Sequence, residues 1–141
     1  MKIVLAHGCF DILHYGHLVH LQEARQLGDM LVVSVTEDAY VNKGPDRPMF
    51  NVEQRMAMLR VWAIIDSVIS SKSAEEAINK IKPHVYVKGK EYARKLPEKK
   101  LVESYGGRVV FTDGPINSST DLIARAGGSI PSYRDWGRNP R

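Results

Sequence analysis

The sequence predicts one α/β domain built on a doubly wound five-stranded parallel sheet. Three observations carry that expectation. Five short apolar runs recur along the 141 residues. They are continuous rather than alternating, as strands buried on both faces are. A stretch with helical spacing or a helix cap stands between most of them, the layout of crossover connections.

Taken in order, Lys2 to Ala6 is rich in Ile and Val and reads as the first strand. Leu18, Leu21, Ala24 and Leu27 then repeat at helical spacing, and Gly28 stops that helix. Met30 to Val35 is the second strand. Asn51 and Gln54 have capping-box spacing and open a helix over 52–65. Met56, Leu59 and Trp62–Ala63 continue its apolar face. Met58, Val61 and Ile64 add more apolar surface than one face needs, which suggests a homodimer seam. Ser67 to Ser70 is a third strand around Val68 and Ile69. Ser73 and Glu76 repeat the capping box and open a helix that Pro83 ends. Val85 to Val87 is the fourth strand. Pro97 to Tyr105 reads as a helix ended by Gly106–Gly107, and Arg108 to Thr112 as the fifth strand. A last helix is expected near Ser118 or Ser119. The domain is placed at 1–126. Residues 127–141, rich in Gly, Pro and Arg without periodicity, read as a tail or linker.

Hydrophobic residues make up 43% and charged residues 26%, a balance that fits a globular core. No apolar run is long enough to span a bilayer. Cys9 is the only cysteine, so an intramolecular disulfide is impossible, which suits a cytoplasmic protein. The net charge of +4 fits either nucleic acid or small anionic ligands. The basic residues form no single tract, and no zinc-finger spacing or RNP-type aromatic motif is present. Neither nucleic acid nor a membrane is expected as a partner.

Parallel sheets of this kind bind ligands beyond the carboxyl ends of their strands. That rule directs attention to segments 7–17, 37–50, 88–95 and 113–120. The first reads Gly8-Cys9-Phe10-Asp11-Ile12-Leu13-His14-Tyr15-Gly16-His17. Gly8 lets the backbone approach a ligand. Gly16 opens a helix whose free amides attract phosphate. His14 and His17 lie three apart and can face one pocket, where two imidazoles suit a charged transition state. A zinc site from His14, His17, His20 and Cys9 is the rival reading, but His14 precedes the helix and no second Cys/His cluster exists. His20 reads as a helix-surface residue and His7 as a strand end of no special role.

These residues resemble the signature of the cytidylyltransferase-like nucleotidyltransferases, His-x-Gly-His preceded by Gly-x-Phe-Asp. The family has a Rossmann-like nucleotidyltransferase fold. Lys43-Gly44-Pro45-Asp46-Arg47-Pro48, followed by Glu53-Gln54-Arg55-Met56, resembles the branch that makes ADP-heptose from heptose 1-phosphate, a lipopolysaccharide precursor. Val87-Lys88-Gly89-Lys90-Glu91-Tyr92 resembles that branch's Val-Lys-Gly-Gly-Asp-Tyr. The similarity covers roughly residues 2–125. Lys90-Glu91 stands where the branch has Gly-Asp, which bears on the choice of phosphorylated substrate. Asp113 to Thr120 resembles the family's Gly-x-Ser-Thr-Thr with about two extra residues.

The resemblance implies transfer of an adenylyl group from ATP to a sugar 1-phosphate with release of pyrophosphate. The alternative is a CTP-dependent cytidylyltransferase acting on glycerol 3-phosphate or a similar small phosphate. His14 and His17 would contact the triphosphate and transition state. Lys43 would reach triphosphate oxygens from a loop that is otherwise a solvated connection. Arg55 would hold the β- and γ-phosphates or the leaving group. An arginine in the first turn of a helix is unfavourable for the dipole, so a carboxylate partner is the other expectation. Asp11 would serve as ligand to a Mg2+ ion and contact substrate. Gly8, Cys9, Phe10 and Gly16 would line the nucleotide. Lys88, Gly89, Lys90, Glu91 and Tyr92 would face the sugar phosphate or the nucleotide. Asn117, Ser118, Ser119 and Thr120 would bind phosphate or merely cap a helix. The resemblance also implies a homodimer and a sugar kinase, fused or separate.

Overall fold

The structure, a computed structural model, describes residues 1–114. Five strands, β1 (Ile3–Gly8), β2 (Met30–Thr36), β3 (Ser67–Ser71), β4 (Val85–Gly89) and β5 (Arg108–Thr112), form one sheet of order β3-β2-β1-β4-β5. Every pairing is parallel. The chain winds outward from β1 to β3, then returns to the other side of β1 for β4 and β5. The reversal lies between β1 and β4, where such sheets open a crevice.

Strand pleating sorts the core into two layers. Val4, Ala6, Leu31, Val33, Val35, Val85 and Val87 face α1 (Tyr15–Arg25) and α2 (Val52–Arg60), meeting Leu21, Ala24, Met56 and Leu59. Leu5, Val32 and Tyr86, in between, face α3 (Ala74–Ile81) and α4 (Lys99–Ser104), meeting Ala77, Ile78 and Val102. Both faces are covered, which is why the strands read as unbroken apolar runs.

The caps follow the expected chemistry. Asn51 and Gln54 exchange hydrogen bonds of 2.9 and 3.0 Å at the start of α2. Ser73 Oγ accepts from the Glu76 amide at 3.1 Å and starts α3, but only half of the expected capping box forms, because the Glu76 carboxylate accepts from the Lys72 amide at 3.3 Å instead of from Ser73. Several boundaries differ, β4 for one running on to Gly89 and α4 covering only Lys99–Ser104, and three differences bear on the site or the core. β1 runs to Gly8, because His7 and Gly8 still pair with Ser34 and Val35. α1 begins at Tyr15, since the His14 side chain supplies its cap, an atypical choice. α2 ends at Arg60 instead of continuing to 65. The chain turns there, and Trp62, Ile64 and Ile65 pack against the core. Of the surplus residues assigned to a dimer seam, Ile64 is thus absorbed, while Met58 is half-buried and Val61 is exposed. No helix among the described residues is long and apolar enough to cross a membrane. The expected helix near Ser118 and the tail 127–141 lie outside the described residues.

Candidate active site

The ends of β1 and β4, the start of α1 and the segments after β2 and β4 enclose a cavity of about 180 Å³. It opens at the sheet's reversal point. Among the described residues, three lysines (43, 88 and 90) and four histidines (7, 14, 17 and 20) line it, against one carboxylate, Glu91.

The histidine pair is built by the strand-to-helix turn. Phe10 takes a left-handed conformation (φ 51°) and buries its ring against His17, with centroids 5.1 Å apart. A Cβ on Gly8 would lie 3.1 Å from the Phe10 ring, so this glycine makes room for Phe10 as well as lining the cavity. His14 then caps α1: its Nδ1 accepts from the His17 amide at 3.4 Å. In the neutral ring this places the proton on Nε2, which is buried without a partner among the described residues. The two rings stack at 3.9 Å. His17 bonds the Ile12 backbone through one nitrogen, and its Nδ1 is likewise buried without a partner among the described residues. Buried polar atoms are ordinarily satisfied, so two orphans on adjacent rings mark a place for a ligand.

Burial, with nearby His14, His20 and Lys43, pushes the His17 pKa from 6.5 to about 3. Burial also lowers His14. Both rings are neutral near pH 7. An imidazole that donates to a carbonyl at one nitrogen meets a phosphate oxygen with the other only after taking up a proton. Anion binding and protonation are therefore coupled at His17.

Two ion pairs hold the segment 37–51. Asp11, fully buried, accepts from Arg47 Nε at 2.9 Å and from the amides of Met49 and Phe50 at 2.8 and 3.0 Å. Arg55, also fully buried, donates to Phe50 O at 2.9 Å, Cys9 O at 2.8 Å and Asp38 Oδ1 at 2.7 Å. Lys43 lies on the exposed arch between these anchors and reaches the cavity.

Residues 5–123 match the family model described as cytidylyltransferase-like. The chain belongs to the cytidylyltransferase-like family. It is therefore a nucleotidyltransferase. It is 44% identical over 127 residues to the bifunctional protein HldE of Pseudomonas syringae pv. syringae, covering 86% of this chain and 27% of that protein. Identity to the Pseudomonas fluorescens SBW25 HldE is also 44%, with the same coverage. The chain thus spans about a quarter of the length of these curated relatives. A lipopolysaccharide core biosynthesis protein from Thermoplasma volcanium superposes with a TM-score of 0.70 at 28% identity, covering 82% of this chain and 99% of that one. Pantoate-β-alanine ligase from Francisella tularensis, in complex with an ATP ligand, shares the fold at a TM-score of 0.61 and 16% identity, covering 92% and 70% of the two chains.

Within this family member, Gly8, Cys9, Phe10, His14, Gly16, His17, Lys43, Lys88, Gly89, Lys90, Glu91 and Tyr92 come together around the cavity. Two expected site residues do not. Asp11 is no candidate metal ligand, because three donors already occupy its two oxygens and it stands outside the cavity lining. The donors present do not fit a protein-held Mg2+ at Asp11. Arg55 does not line the cavity. Its carboxylate-partner alternative holds instead, through Asp38. Asn117, Ser118, Ser119 and Thr120 lie outside the described residues.

Besides Gly114, three lining residues were not expected. His7, assigned no special role, bonds Ser34 Oγ at 3.0 Å, and its backbone oxygen accepts from Lys88 Nζ at 3.2 Å. His20, read as a surface residue, meets Thr112 Oγ1 at 2.7 Å. Thr112 itself is the third. Two of them stand at strand carboxyl ends and His20 lies one turn beyond His17. The strand-end rule and helical spacing were the signals for them.

Proposed function

We propose that this nucleotidyltransferase transfers the adenylyl group of ATP to a sugar 1-phosphate, heptose 1-phosphate by its resemblance, releasing pyrophosphate and forming an ADP-sugar. The carrying observation is the stacked His14–His17 pair, with two unpartnered buried nitrogens at the start of α1, in a cavity with three lysines. The similarity of segments 43–55 and 87–92 to the ADP-heptose branch supports the choice of substrates, as does the 44% identity to HldE proteins.

In this reading an oxygen of the sugar phosphate attacks the α-phosphorus in line. The new P–O bond forms as the α–β bridging P–O bond breaks, and pyrophosphate leaves with the electron pair. The nucleophile is already an anion, so catalysis consists of positioning and charge neutralisation. His14 donates from Nε2, and His17 is protonated as charge accumulates. Lys43 closes onto the β- and γ-phosphates. Backbone amides at Gly8 to Phe10 and the start of α1 hold phosphate oxygens. Asn117 to Thr120 contribute further phosphate contacts. Magnesium belongs to this reading only as the counter-ion of the triphosphate. A homodimer, which the resemblance implies, would scatter light as twice the chain mass.

The second reading is a CTP-dependent enzyme acting on glycerol 3-phosphate or a similar small phosphate, and the family description favours it. Incubation of the chain with ATP or CTP against heptose 1-phosphate and glycerol 3-phosphate, scored by pyrophosphate release, decides between them. Release with ATP and the heptose alone is expected. Release with CTP and glycerol 3-phosphate alone would replace the first reading, and silence in every pair would refute both.

A further inference from the structure

The reaction above makes no use of a polar cluster buried where β1, β2 and β3 end. Ser34 and Ser71 are fully buried there, and His7 and Thr36 are half-buried beside them. His7 Nδ1 lies 3.0 Å from Ser34 Oγ, which bonds Ser71 Oγ at 2.9 Å. On the other side of the ring His7 Nε2 lies 3.3 Å from Thr36 Oγ1, and Thr36 donates to Gly8 O at 3.3 Å. One nitrogen of a neutral imidazole donates and the other accepts, and rotatable hydroxyls supply the matching roles. Polar groups that only satisfy one another add little, since apolar groups of the same shape do about as well. A fully satisfied buried network does fix position. This one ends on the carbonyl of Gly8, where the backbone leaves β1 for the histidine turn.

A trans peptide points its C=O and its N–H opposite ways. Thr36 holds the Gly8 carbonyl toward β2, so the Cys9 N–H is turned away from β2. The next carbonyl, of Cys9, is held by Arg55, which is tied to Asp38 just beyond β2. The Phe10 N–H is turned away from Arg55 in the same manner. Successive amides aimed from a turn of this kind make an anion-binding concavity. Gly8, Cys9 and Phe10 all line the cavity, whereas Ser34, Thr36 and Ser71 stand outside its lining. His7 belongs to the lining, but both its nitrogens are engaged. Burial, with Lys88 acting in the same direction, lowers its pKa to about 4, so the ring offers phosphate no charge. The cluster reaches a ligand only through the backbone that it holds.

We propose that His7 and Thr36 are positioning residues: backed by Ser34 and Ser71, they clamp the Gly8 carbonyl and thereby aim the Cys9 and Phe10 amides at phosphate oxygens. The proposal rests on the nucleotidyl-transfer reading above.

The experiment compares wild type with Thr36→Val, Thr36→Ser, His7→Phe and the double variant His7→Phe/Thr36→Val. Thermal melts check each fold, and if one of the two single disruptions does not fold the other decides. Pyrophosphate release with the substrate pair that wild type turns over reads kcat and KM. Thr36→Val keeps the side-chain shape and removes the hydroxyl. Its kcat should fall roughly 10-fold, with the KM for the triphosphate within about threefold, because the lysines and histidines still bind it. Thr36→Ser restores the hydroxyl and should recover most of the loss. His7→Phe should match Thr36→Val, and the double variant should lose little more than either, since both break one chain. A second assay needs no substrate pair: amide correlation spectra recorded with inorganic tripolyphosphate. The Cys9 and Phe10 amide protons should move downfield on binding in wild type, and markedly less in Thr36→Val. The proposal is overturned if folded Thr36→Val keeps kcat within about twofold, or if Thr36→Ser is no better than Thr36→Val. It is overturned equally if the losses multiply in the double variant, or if the two amides stay put or move alike in wild type and Thr36→Val. A wild type that turns over no pair refutes the proposed function, and the amide shifts alone then decide the clamp.

Discussion

Acidification from pH 7.5 to 5.5 should strip the unliganded protein of much of its stability, and the cause is countable. Burial lowers the pKa of His7 and His20 from 6.5 to about 4, and that of His17 to about 3. The folded values lie below the unfolded one. As pH falls through 6.5 the unfolded chain takes up protons that the folded chain refuses. Stability is therefore complete above pH 6.5 and is lost progressively below it, down to the folded values. At pH 5.5 each such group costs RT ln(1 + 10), about 1.4 kcal/mol, and the three together about 4 kcal/mol. With a urea m-value of roughly 2 kcal/mol/M for a domain of this size, the unfolding midpoint should drop by about 2 M. Urea titrations followed by tryptophan fluorescence at pH 7.5, 6.5 and 5.5 measure it. His20→Asn should remove about a third of the drop. Saturating tripolyphosphate should shrink it, because a bound anion stabilises imidazolium. A midpoint that moves by less than about 0.5 M, or a His20→Asn variant as acid-sensitive as wild type, would refute the reasoning.

Four further outcomes test other parts of the site. Binding of ATP should take up to about one proton per nucleotide, rising as pH falls from 7.5 to 6, seen as a dependence of calorimetric heat on buffer ionisation enthalpy; a buffer-independent heat contradicts the coupling at His17. His14→Ala and His17→Ala should each lower kcat by about 10²- to 10³-fold in pyrophosphate release while the fold survives. Asp11→Ala should cost roughly 3–5 kcal/mol in urea unfolding, since it removes the buried carboxylate that Arg47 Nε and two backbone amides share, and it should expose residues 42–47 to limited proteolysis. Lys43→Ala, on an exposed arch, should leave stability within about 0.5 kcal/mol and raise the KM for the triphosphate; a large stability loss would mean that Lys43 is structural.

Much of the fold was legible because its signals are local. Continuous apolar runs name strands covered on both faces, and Asn51–Gln54 and Ser73 start helices by chemistry confined to four residues. The end of α2 was not legible, because Val61 to Ile65 keep a helical apolar pattern after the backbone has turned. That His14 and His17 face one cavity was legible, because their spacing already sets them on one helix start. Asp11 and Arg55 were misread for a shared reason. Charged residues beside a ligand and charged residues that fasten the wall behind it look alike in one dimension. They part only when a partner 38 or 46 residues away is seen, as for Asp11 with Met49 and Arg55 with Cys9. His20 was missed likewise, for its partner Thr112 lies 92 residues on.

The reversal of the sheet between β1 and β4 gives the site a division of labour along the chain. Residues before the reversal, from β1 through the clamped segment 37–51, supply His14, His17 and Lys43 to the cavity, and residues after it supply Lys88 to Tyr92 and Thr112. Only one strand pairing, β1 with β4, joins the halves within the sheet. Segments 85–114 should therefore be exchangeable between family members as a cassette that replaces one wall of the cavity and leaves the histidine pair with the recipient.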